Sequence, residues 1–98
     1  MYGSFRDFYP FYLTEHSRSG TRRLHFAGTL LVLLTLIYAV VTARWALLAL
    51  VPVFGYGFAW VGHFFVERNR PATFQYPLYS LAGDFRMFAD MLRGRVGF

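Results

Sequence analysis

The sequence predicts an all-α integral membrane protein: a hairpin of two transmembrane helices flanked by two amphipathic interfacial helices, in a single domain over residues 1–98. Three observations carry this. Hydrophobic residues make up 56 % of the chain and charged residues 15 %, against about 25 % charged in soluble domains. Two stretches, residues 26–43 and 45–66, hold no formal charge, and each has about the length needed to cross a hydrocarbon core. On either side of them, apolar residues recur at helical spacing. A continuous apolar run in lipid must satisfy its own backbone, which leaves the helix as its form.

The first element is an amphipathic helix over about residues 5–18. Phe5, Phe8, Tyr9, Tyr12, Leu13 and His16 fall on an i, i+3, i+4, i+7 stripe. Pro10 lies within it, so the helix either starts near Pro10 or bends there. Ser19 and Thr21 are candidate caps for the next helix, predicted over 21–43. The second spanning helix covers 45–67, with Arg44 alone at the tip of the hairpin. Pro52 is expected to kink it. Gly55, Ala59 and Gly62 follow at helical spacing, a small-residue face that admits another helix closely. "RPATFQYP" is a connector. The last helix, over 77–93, carries an apolar stripe of Leu78, Leu81, Ala82, Phe85, Phe88, Ala89 and Leu92. Asp84, Arg86, Asp90 and Arg93 are assigned to its polar side.

The formal charge is +5, carried by arginine, with no lysine. The arginines flank apolar segments, which points to lipid headgroups or an acidic substrate and away from nucleic acid. Arg6, Arg18, Arg22 and Arg23 precede the hairpin; Arg68, Arg70, Arg86, Arg93 and Arg95 follow it. The positive-inside rule then puts both termini in the cytoplasm: at the inner membrane of a bacterium or the endoplasmic reticulum of a eukaryote. The first 25 residues lack the short apolar core and cleavage site of a secretory signal. No cysteine is present, which excludes disulfides, thiolate metal sites and cysteine nucleophiles.

An antiparallel hairpin brings the start of its first helix beside the end of its second. His25 sits at that start, His63 and Glu67 at that end, and His16 nine residues before His25. All three histidines of the chain are thereby expected to converge on one membrane face. His63 and Glu67 at i, i+4 share a helical face. Either both reach one ion, or Glu67 acts as a base that fixes a histidine tautomer. Imidazole and carboxylate without sulfur suit Fe(II), Zn(II) or Mn(II), and the spacing does not choose among them. Arg22, Arg23 and Arg70 are candidates to hold a substrate carboxylate, with Arg70 and Glu67 the catalytic candidates.

The segments "FYPFYLTEH", "RRLHFAGT" and "GYGFAWVGHFFVERNRPATFQYPLYSL" resemble a widespread family of small membrane proteins, formerly a domain of unknown function. Its characterised member is the yeast Fe(II)-dependent 2-hydroxy fatty acid dioxygenase of phytosphingosine degradation. The resemblance runs from about Phe8 to Leu92, and its most specific part is His16 and His25 with Gly62, His63, Glu67, Arg70 and Pro71. It implies α-oxidation: a 2-hydroxy fatty acid and O₂ react, and the chain leaves one carbon shorter. It also implies Fe(2+) held by the histidines at the matching positions, and membrane lipid as the surroundings. Two other readings compete. One is a non-enzymatic hairpin adaptor docking through the Gly55–Ala59–Gly62 face, which would equally serve a homodimer. The other is a bis-histidine haem protein using His25 and His63.

Overall fold

The computed structural model describes residues 2–70 and 75–98; Pro71 of the sequence motif lies outside them. Among the described residues, four α-helices form the fold: α1 (Phe5–Thr14), α2 (Ser19–Thr42), α3 (Leu50–Val61) and α4 (Pro77–Leu92). A 3-10 turn, Trp45–Ala49, leads into α3, and a π turn, Gly62–Glu67, extends it. No strand occurs among the described residues. The stretches Ser19–Thr42 and Trp45–Glu67 are both long and apolar enough to cross a membrane.

Ser4 starts α1 by accepting the Asp7 amide at 3.2 Å, and Asp7 adds a negative charge to the first turn. Pro10 lies inside this helix on its exposed side. The helix stops at Thr14, short of the expected 18. The Glu15 amide is shared between the Phe11 and Tyr12 carbonyls, and the His16 amide turns back to Leu13. That tightened last turn leaves His16 folded over the helix end.

α2 and α3 pack antiparallel, and glycine sets their spacing at two levels. A Cβ on Gly28 would stand 2.7 Å from the Phe54 carbonyl, and one on Gly62 would stand 2.9 Å from the Thr21 methyl. Ala59 is buried in the same interface. Most of the small-residue face expected to receive a partner helix therefore receives α2. Pro52 falls in the first turn of α3, where a missing N–H leaves no bond unmade. The helix changes from 3-10 to α geometry just before it, at Leu50. At the tip, Ala43 closes α2 in the left-handed region with φ 54°, and the Arg44 amide reaches back to Ala39 at 2.9 Å.

The core proper lies between α1 and α4. Phe8, Tyr12, Met87 and Met91 are buried there, ringed by Phe5, Tyr9, Phe11 and Tyr76. The orientation of α4 departs from the sequence expectation: Arg86 and Arg93 face outward as expected, but Asp90 is buried. Its buried face is Ser80, Gly83, Met87, Asp90 and Met91, while Leu78 and Leu92 are 78 % and 65 % exposed. Apolar count misled here because the decisive contact is close approach. The Tyr12 ring lies where a Cβ of Gly83 would be, at 2.8 Å, and only a small-residue face admits it. Asp90 and Asp84 then point inward and accept the Tyr9 and Tyr12 hydroxyls at 2.8 and 2.5 Å.

Candidate metal centre

His16 arrives from the turn after α1, His25 from the second turn of α2, and His63 from the start of the π turn. All three are buried, at 1 %, 5 % and 2 % exposure. One ligand nitrogen from each lies within 4.8 Å of the other two. Among the described residues this is the group of histidine, aspartate and glutamate side chains arranged to hold an ion. Their rings pack at centroid separations of 4.4, 4.5 and 5.6 Å, all near perpendicular.

The tautomers follow from the neighbours. Nδ1 of His16 lies 2.7 Å from the Tyr12 carbonyl, which only accepts, so His16 carries its proton on Nδ1. The same bond caps the end of α1. Asn69 donates its amide to the Glu15 carbonyl at 3.1 Å and to the Glu15 carboxylate at 2.9 Å. Its oxygen must then face His63, 2.8 Å from Nδ1, and His63 is also protonated on Nδ1. Nε2 of both rings is left with a lone pair. Nε2 of His25 stands 2.9 Å from Nε2 of His16, and Nδ1 of His25 stands 3.5 Å from the Asp84 carboxyl. Without an ion, His25 shares an Nε2 proton with His16. With one, the proton belongs on Nδ1, facing Asp84.

This donor set fits a metal. Two nitrogens at about 2.1 Å from one ion and at right angles to each other lie about 3.0 Å apart, close to the 2.9 Å found. Imidazole nitrogens whose other N–H is held by carbonyl, amide or carboxylate are the usual partners of a divalent transition ion. Burial, with His63 nearby, lowers the His16 pKa to about 3, so that ring is neutral across physiological pH. Burial raises Asp84 to about 7, against the opposing pull of the Tyr12 hydroxyl.

Glu67 has other work. Its Oε2 accepts the Arg18 amide at 2.6 Å and the Thr21 hydroxyl at 2.7 Å, and its Oε1 accepts Ser17 at 2.8 Å. It caps α2 from across the hairpin, a role the sequence reading gave to Ser19 and Thr21, and it stands outside the three-histidine group. Arg22 donates to the carbonyls of His16, Ser17 and Gly97, and Arg23 to that of Phe98. Both guanidinia are turned toward main chain. Arg70 is exposed, one residue beyond Asn69.

A family model described as 2-hydroxy-palmitic acid dioxygenase Mpo1-like matches residues 2–96. The chain belongs to the Mpo1-like family. No curated protein and no solved structure matches it. For this Mpo1-like chain, two residues at the centre escaped the sequence reading. Asn69 carried no signal, being a lone amide after a helix. Asp84 carried a weak one: a carboxylate beside Gly83 and four residues after Ser80 marks a helix face of small side chains, where a neighbour comes close.

Proposed function

We propose that this protein is an Fe(II)-dependent dioxygenase of 2-hydroxy fatty acids, embedded in a membrane with the three histidines at its cytoplasmic face. The observation that carries the reading is the convergence of three buried, tautomer-fixed imidazoles in a chain of the Mpo1-like family. His16, His25 and His63 would hold the ion through Nε2. Iron, when bound, supplies Lewis acidity and the electrons needed to bring O₂ into reaction with the hydroxy acid. The overall change balances without an added reductant: R–CH(OH)–COOH + O₂ gives R–COOH, CO₂ and H₂O. The C1–C2 bond breaks, the acid gives up four electrons, and O₂ accepts four.

The chain's own groups account for the rest. The Tyr12 carbonyl and Asn69 hold two rings in register. The Asp84 carboxyl stands 3.5 Å from His25 Nδ1, on the side the proton takes when Nε2 binds an ion. The aromatic layer of α1 and α4 excludes water from one side of the site. Arg70, exposed and one residue beyond Asn69, is a candidate to hold a carboxylate head. Two long apolar helices, with Val41 and Phe65 78 % and 75 % exposed, suit a lipid environment better than water. The haem reading loses its footing: His16 packs 4.4 and 4.5 Å from the other two rings, in the space a macrocycle between His25 and His63 would need.

The test is turnover. Anaerobically purified, iron-loaded protein given 2-hydroxypalmitate and O₂ is expected to release the fifteen-carbon acid. His63→Ala should bind far less iron and lose at least about 100-fold in rate. Iron-loaded wild type that makes no shortened product would overturn the activity, and His63→Ala with full iron would remove His63 from the centre.

A further inference from the structure

An apolar groove of about 230 Å³ runs beside the metal centre, between the hairpin and α4. Thr29, Val32 and Leu36 of α2 form one wall, Gly55 of α3 another, and Phe85 and Asp84 of α4 close it. Asp84 belongs to both places: it lines the groove and stands 3.5 Å from His25. The groove therefore reaches the centre through Asp84, behind His25, and runs along α2 from Thr29 to Leu36.

We infer that this groove holds the acyl tail of the substrate and that Gly55 gauges how much of that tail can enter; the inference rests on the proposed oxidation of 2-hydroxy fatty acids. The lengths support it. From His25 to Leu36 is eleven residues of α2, about 16 Å of helix. An extended alkyl chain, with C–C bonds of about 1.5 Å at about 111°, advances about 1.25 Å per carbon. A tail laid from His25 to the groove's far end at Leu36 thus has room for roughly thirteen carbons beyond the carbon at the ion. Val32 lies seven residues from His25, about 10.5 Å along, level with about carbon 10 of the acid. Gly55 faces it: a Cβ there would touch the Val32 methyl at 3.6 Å, an ordinary contact. A larger side chain at 55 would fill the groove at that depth without striking backbone.

The experiment is Gly55→Phe, with Gly57→Phe as control, since a Cβ at Gly57 meets nothing within 4 Å. Iron content is measured first and is expected to match wild type in both. In Gly55→Phe the ratio of kcat/KM for 2-hydroxypalmitate to that for 2-hydroxyoctanoate should fall at least about tenfold; in Gly57→Phe it should not move. An unchanged ratio in iron-replete Gly55→Phe overturns the assignment. A second measurement needs no turnover. A 2-hydroxypalmitate bearing a diazirine at carbon 10, photolysed on the anaerobic iron-loaded protein, should label the segments around Val32 and Gly55, and Gly55→Phe should abolish that label. Labelling spread over the outward residues Leu34, Ile37 and Val41 and indifferent to the substitution would mean that the chain associates only with the protein's outer surface. If wild type turns over no hydroxy acid yet the probe maps to the groove, the oxidation reading fails and the tail site stands.

Discussion

Asn69 does for His63 what the Tyr12 carbonyl does for His16: it holds Nδ1–H and leaves Nε2 free. The difference is that a side chain can be removed. Asn69→Ala should leave the fold in place and weaken iron binding about 10- to 100-fold, the usual cost of losing the group that orients a ligand. Competition with a chelator measures it. Asp84 gives a second prediction, for the chelated, metal-free protein. Its carboxyl titrates near 7 in the fold against 3.8 in an unfolded chain, so between those values the folded state binds more protons. Asp84 therefore stabilises the fold at low pH, and that contribution is lost as pH rises from about 4 to about 7. Asp84→Asn, which mimics the protonated form, should become progressively more stable relative to wild type over that window and level off above it. Thermal unfolding in detergent at stepped pH reads the difference. His16, lowered from 6.5 to about 3, works with the opposite sign and destabilises as pH falls through that range. It is present in both proteins and cancels from the comparison. The histidines were legible in the sequence because hairpin geometry alone brings their backbones together. Asn69 and Asp84 were not, because an orienting partner is chosen by a single hydrogen bond that leaves no periodic trace.

Helix limits were legible where composition changes abruptly and less so where a side chain ends a helix. The stretch from Trp45 to Val66 carries no formal charge, and one continuous helical run to Glu67 results. Within it the π turn at Gly62–Glu67 leaves no mark on the residue pattern. That turn places His63 toward the bundle, and Arg68 in the left-handed region at φ 59° sets Asn69 back against His63, its amide bonded to the His63 carbonyl at 2.8 Å. Such turns occur often where a helix carries function. The polarity of α4 differs from expectation because its inward face combines Ser80, Gly83 and Asp90 with Met87 and Met91, while Leu78, Leu81 and Leu92 turn outward. Glu67 belongs to this scale too. A motif carboxylate four residues from a histidine invites a ligand role, yet its three hydrogen bonds tie the end of one helix to the start of another. Glu67→Gln should keep iron stoichiometry at wild-type level. It should also cost about 1–2 kcal/mol of stability, in the range of a lost charged cap. An iron stoichiometry that falls while thermal stability holds would return Glu67 to the metal.

At the scale of the whole molecule, the arginines and the three histidines sit at the same end. Nine arginines lie beyond the apolar ends of the hairpin and one, Arg44, at its tip. The histidines, the Glu67 cap and the α1–α4 layer all gather at the arginine-rich end. α2 is 24 residues long, about 36 Å of helix, against about 30 Å of hydrocarbon. A hairpin that crosses the bilayer thus has just enough length to put its tip in water on the far side. His25, six residues into α2, then lies near one edge of the hydrocarbon, under the cover of α1 and α4. On the proposed function, that position would let the head of a fatty acid reach a bound ion from the interface while its tail stays in apolar surroundings. The absence of cysteine makes the arrangement measurable. Single cysteines at Arg44 and at Ser17 report the two ends of the hairpin. In sealed cells an impermeant maleimide should label Arg44→Cys, and Ser17→Cys should react only after the membrane is opened. Labelling of both from one side would mean that the hairpin turns back within a single leaflet. The metal centre could still form there, since its geometry is internal to the fold. The arginine count would then no longer assign the face on which it works, and the route by which a hydroxy acid reaches it would have to be drawn again.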